Sequence, residues 1–310
     1  MSLVGKVAIV TGSGRGLGLA YAQELARQGA SVVINDVDEA VAAEAVASIR
    51  SAGGNATAVV APVGPTATAD QLVAAALDTY GRLDILVTNA GVLRDTVLWK
   101  MSDDDFDTVI NVHLRGTFTC VRAAATHFRT QGQGGRIICI GSPTGQRGNF
   151  GQTNYAAAKA GIVGMVRTWA LELARAEVTV NAVIPVAATA MTDTVPFFAA
   201  FNEAAAKGEE MPPFARRVLG YGTPKDVAGL VSFLASDAAA KVTGQAIGAG
   251  GDRLQLWSHP EVVATAFQNG GWDYDVLTED FGSLFGNQQQ SVGEKMPDLP
   301  AEFQPAPAAQ

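Results

Sequence analysis

The sequence predicts an α/β protein built on a doubly wound parallel sheet, in a single domain with a C-terminal extension. Three observations predict it. Short β-branched apolar runs alternate with longer alanine-rich segments in βαβα order, and a glycine-rich turn separates the first run from the first helical pattern. Apolar residues make up 48% of 310, enough for one extensive core.

The strand candidates are residues 7–10, 31–35, 58–60, 85–88, 136–140 and 178–184. Each is near-continuously apolar, as a parallel strand covered on both faces requires. Helical patterns fall between them at about 16–28, 38–51, 68–80, 103–129 and 153–176. After Ile184 the pattern loosens over 185–213, rich in Ala, Phe and Pro, with a modest helical signal at 196–207. So long an excursion at a strand's carboxyl end predicts a substrate-covering lid over about 187–215. Thr223-Pro224-Lys225-Asp226 then opens a helix with a capping hydroxyl and Pro at the first position, and 245–249 reads as a last strand.

The main domain is therefore expected over residues 1–252. Residues 253–310 form the extension, in which Trp257, Trp272, Tyr274, Phe281 and Phe285 are spaced among polar residues as if to pack onto a surface. Its Pro/Ala-rich stretch, 297–310, is expected to be disordered.

A net charge of −8 and the lack of any Lys/Arg run exclude nucleic acid as a partner. Cys120 and Cys139 lie in apolar stretches without CxxC spacing, so neither a disulfide framework nor a metal site is expected. Gly5-Lys6-Val7-Ala8-Ile9-Val10 lacks the features of a secretory signal, and no apolar run approaches the roughly 18 to 20 residues that span a bilayer. A cytoplasmic protein without membrane insertion is the expectation.

Thr11-Gly12-Ser13-Gly14-Arg15-Gly16-Leu17-Gly18 follows the first strand and opens the first helix, with Gly12-xxx-Gly16-x-Gly18 spacing. In that context glycines let the backbone approach a pyrophosphate, whose charge meets the free N–H groups of the helix start. Dinucleotide binding is the reading preferred over a plain tight turn. Asp36 follows 18 residues after Gly18, where a carboxylate can accept hydrogen bonds from an adenosine ribose diol and repel a 2′-phosphate. Arg15 argues the other way, since a guanidinium here could pair with that phosphate. NAD is favoured over NADP.

Tyr155 and Lys159 are four residues apart and project from one helix face, downstream of Ser142. A phenol becomes a useful acid or base near neutral pH only beside fixed positive charge, and bringing it from about 10 to about 7 demands roughly 4 kcal/mol. An exposed ion pair cannot supply that. The expectation is a desolvated Lys159 aided by a positive nicotinamide.

Taken together, Thr11–Gly18, Asn89-Ala90-Gly91, Asn111, Ser142, Tyr155-xxx-Lys159 and Asn181 resemble the short-chain dehydrogenase/reductase family over about residues 3–251. The resemblance implies a seven-stranded Rossmann-type subunit. It implies Tyr155 as acid/base, Ser142 bonded to the substrate oxygen, Lys159 on the nicotinamide ribose lowering the phenol's pKa, and Asn111 anchoring a proton-relaying water. The cofactor would meet Thr11, Gly12, Arg15, Gly16, Leu17, Gly18, Asp36, Val63, Asn89, Ala90, Gly91, Tyr155, Lys159, Pro185 and Thr189. Three departures stand out. Thr88 replaces a common Asn, Pro62-Val63 stands where an Asp often caps the adenine amine, and Pro185-Val186 replaces Pro-Gly. Thr189 or Thr192 could reach the carboxamide.

Within the family, residues 112–116, 148–155 and 190–192, with Trp272-Asp273 in the tail, look most like one branch. This branch holds the (3R)-hydroxyacyl-CoA dehydrogenase parts of peroxisomal multifunctional enzymes, the 17β-hydroxysteroid dehydrogenase type 4-like members, and related bacterial steroid-degrading dehydrogenases. It implies NAD-dependent oxidation of a secondary alcohol on a (3R)-hydroxyacyl-CoA or steroid-like substrate. An NADPH-dependent 3-oxoacyl-thioester reductase or a general alcohol dehydrogenase is the alternative, and a non-catalytic dinucleotide-binding regulator a remote one. Phe150, Phe197, Phe198 and Phe201 read as core or lid packing before pocket lining, His113 as structural, and Arg147 as a solvated loop arginine before a CoA-phosphate contact. Family members pair through the helices at about 103–129 and 153–176, which implies a homodimer or homotetramer.

Overall fold

The computed structural model describes residues 2–189, 192, 196–293, 297–300 and 303. Ala190 and Met191 of the branch resemblance, and nine residues of the 297–310 stretch, lie outside them.

Eight strands form one sheet in the order β3-β2-β1-β4-β5-β6-β7-β8. They are β1 (Val7–Val10), β2 (Ser31–Asp36), β3 (Asn55–Val60), β4 (Ile85–Thr88), β5 (Gly135–Ile140), β6 (Val178–Pro185), β7 (Ala246–Gly250) and β8 (Arg253–Trp257). The first seven pair in parallel; β8 returns antiparallel to β7, with Gly250 opposite Arg253. The expected seven strands are thus extended by one. The expected boundary at Asp252 falls in the turn of this final hairpin, so the sheet continues into the extension.

Alternate residues of the central strands feed two cores, which explains their continuous apolarity. Ala8, Val10, Ile138 and Val183 join one core with Tyr21, Leu25 and Val231, from helices α1 (Gly16–Arg27) and α9 (Pro224–Ala235). Helix α2 (Glu39–Ser51) contributes Ala42, Ala45 and Ile49 to it. Val7, Ile9, Ile137 and Ile184 join the other with Leu72, Phe128 and Val166. Those side chains come from α3 (Thr66–Tyr80), α5 (Gly116–Gln131) and α7 (Thr153–Glu172).

The helix expected over 103–129 is interrupted. Helix α4 (Asp103–Val109) begins with a Ser102/Asp105 capping box, a π-helical segment (Ile110–Arg115) follows, and then α5. A π segment widens the turn and displaces every later side chain around the axis. The short α6 (Pro143–Arg147) follows β5. Beyond β6, α8 (Ala199–Ala206) and a second π-helical segment (Phe214–Leu219) occupy the stretch expected as a lid, and a small core there joins Phe201, Met211, Ala215, Leu219 and Tyr221. Leu299 and Phe303 of the extension pack against that core. The extension also carries α10 (Tyr274–Phe285). Among the described residues, no helix is long and apolar enough to cross a membrane, and no group of three or more His, Cys, Asp or Glu could hold a metal.

Candidate active site

The site lies at the carboxyl ends of β1, β4, β5 and β6, where the loops that follow neighbouring strands meet. Thr11 stitches the first two together. Its Oγ1 accepts hydrogen bonds from the Asn89 amide at 2.9 Å and the Ala90 amide at 3.1 Å. Asn89 Nδ2 in turn donates to the Thr11 and Gly12 carbonyls at 3.1 and 2.9 Å. Backbone packing here leaves no room for side chains. A Cβ at Gly12, whose φ is +59°, would lie 2.6 Å from Ala90 Cα, and one at Gly18 would lie 2.2 Å from the Gly12 carbonyl oxygen.

Asp36 closes β2 against this turn. Its Oδ2 accepts from Gly14 N–H at 3.2 Å and Oδ1 from the Val37 and Asp38 amides at 2.9 and 3.2 Å. The carboxylate is thereby aimed at the glycine turn rather than at bulk water. Arg15 and Gly16 are exposed at the start of α1, and Leu17 is half-buried against the first core. A peptide cradle without Cβ atoms, a helix N-terminus and an adjacent carboxylate are what a nicotinamide dinucleotide's pyrophosphate and ribose require. Val63 packs beside Gly116, where a Cβ would touch its Cγ2 at 2.9 Å. Pro185 ends β6, and Thr189 N–H donates to Thr192 Oγ1 at 2.8 Å, so Thr192 is occupied in shaping the chain beside it.

The candidate reacting groups come from the next two connections. Ser142, buried just past the end of β5, caps α6 by accepting from Thr144 N–H at 3.2 Å, and its side chain acts on the Tyr155 phenol. Lys159 is 3% exposed; its Nζ lies 5.5 Å from the Tyr155 ring centroid and donates to the Ile140 carbonyl at 2.6 Å. Glycine at 145 permits this packing, since a Cβ there would meet the Lys159 backbone at 2.6 Å.

Burial sets the electrostatics of the protein's own groups here. Burial pushes the Tyr155 phenol up to about 12, with the Ser142 hydrogen bond opposing and Asp95 reinforcing the rise. Burial likewise pulls the Lys159 ammonium down to about 7, with Cys139 opposing. The protein alone therefore does not lower the phenol through Lys159, because the low-dielectric site penalises both charges and the ammonium is turned to the Ile140 carbonyl.

Ser142, Tyr155 and Lys159 converge, while Asn111 lies on a different element. It is exposed on the π segment, its side chain makes no hydrogen bond among the described residues, and its carbonyl accepts the Gly116 N–H within that segment. Asn181 joins β6 to β7 by accepting from Gln245 N–H at 3.1 Å and donating to the Val242 carbonyl at 2.7 Å. Phe197, Phe198 and Phe201 belong to the lid's packing, with Phe198 stacked on Tyr221 at 4.2 Å, whereas Phe150 is exposed. Arg147 is tied to the extension. Its Nε donates to the Gly293 carbonyl at 3.0 Å while its own carbonyl accepts from Gly293 N–H at 2.8 Å.

Sequence reasoning missed Asn154. Fully buried before Tyr155, it accepts the Tyr155 N–H at 2.7 Å and donates to the Arg94 and Asp105 carbonyls, fixing the start of α7. An amide side chain in the first turn of a helix was the available signal.

A phenol, a hydroxyl and a buried amine grouped beside a dinucleotide cradle define an oxidoreductase that uses a nicotinamide cofactor. The short chain dehydrogenase family model matches residues 6–197, and the chain belongs to that family. It is 45% identical over 258 residues to a 3-oxoacyl-[acyl-carrier-protein] reductase of Synechocystis sp., covering 82% of this chain and 99% of that one. It is 40% identical over 310 residues to the hydroxyacyl-CoA dehydrogenase ChsB1 of Mycobacterium tuberculosis, covering 96% and 94% of the two chains. Among solved structures, a short chain dehydrogenase from Mycobacterium avium superposes with a TM-score of 0.80 at 33% identity, over 94% of this chain and 98% of that one.

Proposed function

We propose that this chain oxidises a secondary alcohol to a ketone with NAD, on a (3R)-hydroxyacyl-CoA or hydroxysteroid-type substrate. The observation that carries the proposal is the convergence of Ser142, Tyr155 and Lys159 beside a glycine turn sealed by Asp36. Thr11–Gly18 and the α1 N-terminus would hold the pyrophosphate, Asp36 the adenosine ribose and Val63 the adenine. Asn89-Ala90-Gly91, Pro185 and Thr189 would flank the nicotinamide, whose ribose Lys159 would hold. When bound, the oxidised cofactor supplies the hydride acceptor and a fixed positive charge.

The chain's own groups do the rest. Ser142 holds the substrate oxygen, Tyr155 takes the hydroxyl proton as the carbinol C–H bond breaks, and Lys159, close to the phenol ring, favours the phenolate once it forms. The relay role of Asn111 belongs to this proposal, and an Asn111→Ala enzyme with parental turnover would remove it.

Asp36 supports NAD, because a carboxylate facing the turn repels a 2′-phosphate. The ratio of kcat/KM for the two cofactors should favour NAD by about tenfold or more; a preference for NADP overturns the assignment. The ChsB1 relative, similar along nearly the whole chain including the extension, supports a hydroxyacyl-CoA. A second reading, NADPH-dependent reduction of a 3-oxoacyl thioester, is favoured by the Synechocystis relative and by the exposed Arg15 in the turn. NAD reduction measured with 3-hydroxyacyl-CoA, hydroxysteroid and small-alcohol substrates side by side separates these readings.

Pairing of two copies through α5 and α7 is part of the proposal. That face carries a groove of about 910 Å³ lined by Phe118, Arg122, Arg129, Trp169 and Leu173. Sedimentation as a monomer at micromolar concentration would refute it.

A further inference from the structure

His113 sits where three parts of the site meet. It belongs to the π-helical segment, is 2% exposed, and stands edge-on to Tyr155 with ring centroids 5.2 Å apart and planes at 88°. Its Nε2 lies 2.8 Å from the Val92 carbonyl oxygen and 3.0 Å from the Val92 amide nitrogen. Either tautomer keeps one hydrogen bond between Nε2 and Val92, accepted from its amide or donated to its carbonyl, while Nδ1 is buried and without a hydrogen-bond partner among the described residues. On the remaining side a Cβ at Gly91 would lie only 2.3 Å from Cε1. The ring is held by a hydrogen bond, a backbone wall and the phenol ring.

An imidazole placed here could either exchange protons with the phenol or hold it still. Burial, reinforced by Lys159 and opposed by the Val92 hydrogen bond, pulls its pKa down to about 3. Its charged form is therefore disfavoured, which leaves the ring poorly suited to carry a second proton in the reaction. Tyr155 and Lys159 are the titratable groups that act on it directly. What remains is shape. Edge-to-face aromatic pairs prefer the observed geometry, and the Val92 bond stops the imidazole from turning away.

We propose that His113 is a positioning residue that fixes the orientation of the Tyr155 ring and couples it to the Gly91-Val92 wall. This role rests on the reading of Tyr155 as the acid/base. Its consequence is kinetic, because a reacting group misplaced by about 1 Å can cost on the order of 100-fold in rate with ground-state binding intact.

The test is a set of substitutions in the full chain, each checked for thermal midpoint and for NADH affinity by fluorescence. His113→Gln keeps an amide N–H for Val92 but removes the ring edge. It should bind NADH as the parent does, hold KM for the alcohol within about threefold, and lose about 10- to 100-fold in kcat. His113→Phe restores the edge and should recover kcat to within about fivefold of the parent. His113→Asn, a smaller amide, is measured in parallel and should show the same selective loss of kcat if the glutamine variant does not fold. Parental kcat in a folded amide variant overturns the proposal, as does a loss of kcat that merely follows lost NADH-binding capacity. Tyr155→Phe separates the two readings. Turnover near parental in it defeats the acid/base assignment, whereas its inactivity beside a fully active His113→Gln defeats the positioning role alone.

Discussion

Lys159 is held in its buried position at the expense of its charge. The unfolded chain binds a proton on this amine below about 10.5, whereas the folded protein does so only below about 7. Between those values the unfolded state holds more protons, so this group's penalty grows as pH falls from about 10.5 and is complete near 7. Lys159→Met should therefore stabilise the protein by about 1–3 kcal/mol at pH 7, net of the orphaned Ile140 carbonyl, with the gain vanishing above pH 10.5. Urea unfolding at pH 6, 8 and 10 reads this directly; equal gains at all three would contradict it. Tyr155 has the opposite sign. Its raised pKa means the unfolded chain loses the phenolic proton first, and stability falls as pH rises past about 10. Tyr155→Phe should cut kcat by about 10²- to 10⁴-fold with NADH affinity unchanged; turnover near parental sinks the mechanism. The identity of these residues was legible in the sequence because a Tyr-xxx-Lys pair shares a helix face. Their titration was not, since it depends on how deeply β5 and α6 bury them.

At the scale of elements, the glycine turn tolerates nothing larger. Gly18→Ala places a methyl against the Gly12 carbonyl and Asn89 Nδ2, so the turn must open. We expect a loss of about 1–3 kcal/mol in dinucleotide affinity, seen as a roughly 5- to 150-fold weaker NADH Kd. Unchanged binding would argue against the cradle. At the opposite end of the sheet, Asp84 accepts from Val7 N–H at 2.9 Å and pairs with Arg82 at 2.6 Å, holding β1 to β4. Asp84→Ala should cost about 2–4 kcal/mol in denaturant midpoint experiments while sparing cofactor contacts. The parallel strands and their helices were readable because alternate faces are both buried. Two elements were not. The break at 110–115 was not read because α4, at seven residues, is too short a flank for the phase shift between its apolar pattern and that of α5 to stand out. Gly250-Gly251-Asp252, a hairpin turn, reads equally as punctuation at the end of a domain, and β8 exposes Leu254 and Leu256, so it lacks a buried strand's alternation.

At the scale of the whole molecule, the extension bridges the loop behind Ser142 and the lid. Gly293 is doubly bonded to Arg147, and Leu299 and Phe303 rest on Phe201, Phe214 and Tyr221. Removing residues 258–310 keeps β8 and the whole sheet while freeing both contacts. We expect NADH affinity to hold within about twofold and KM for a bulky alcohol to rise by about tenfold. Identical kinetics in the truncated enzyme would show the bridge to be idle. The sequence reading placed the packing on Trp272, Tyr274 and Phe281, which are exposed, whereas the contacts come from Gly293, Leu299 and Phe303; an address 146 residues away leaves no local pattern.

The bridge also dictates how the enzyme can be handled. Ser2 bonds Gln28 at the far end of α1, across the sheet from the reacting groups. A handle attached at Ser2 hangs clear of the chemistry, whereas cargo attached at Phe303 pulls on a ring that rests against Phe201 and Phe214.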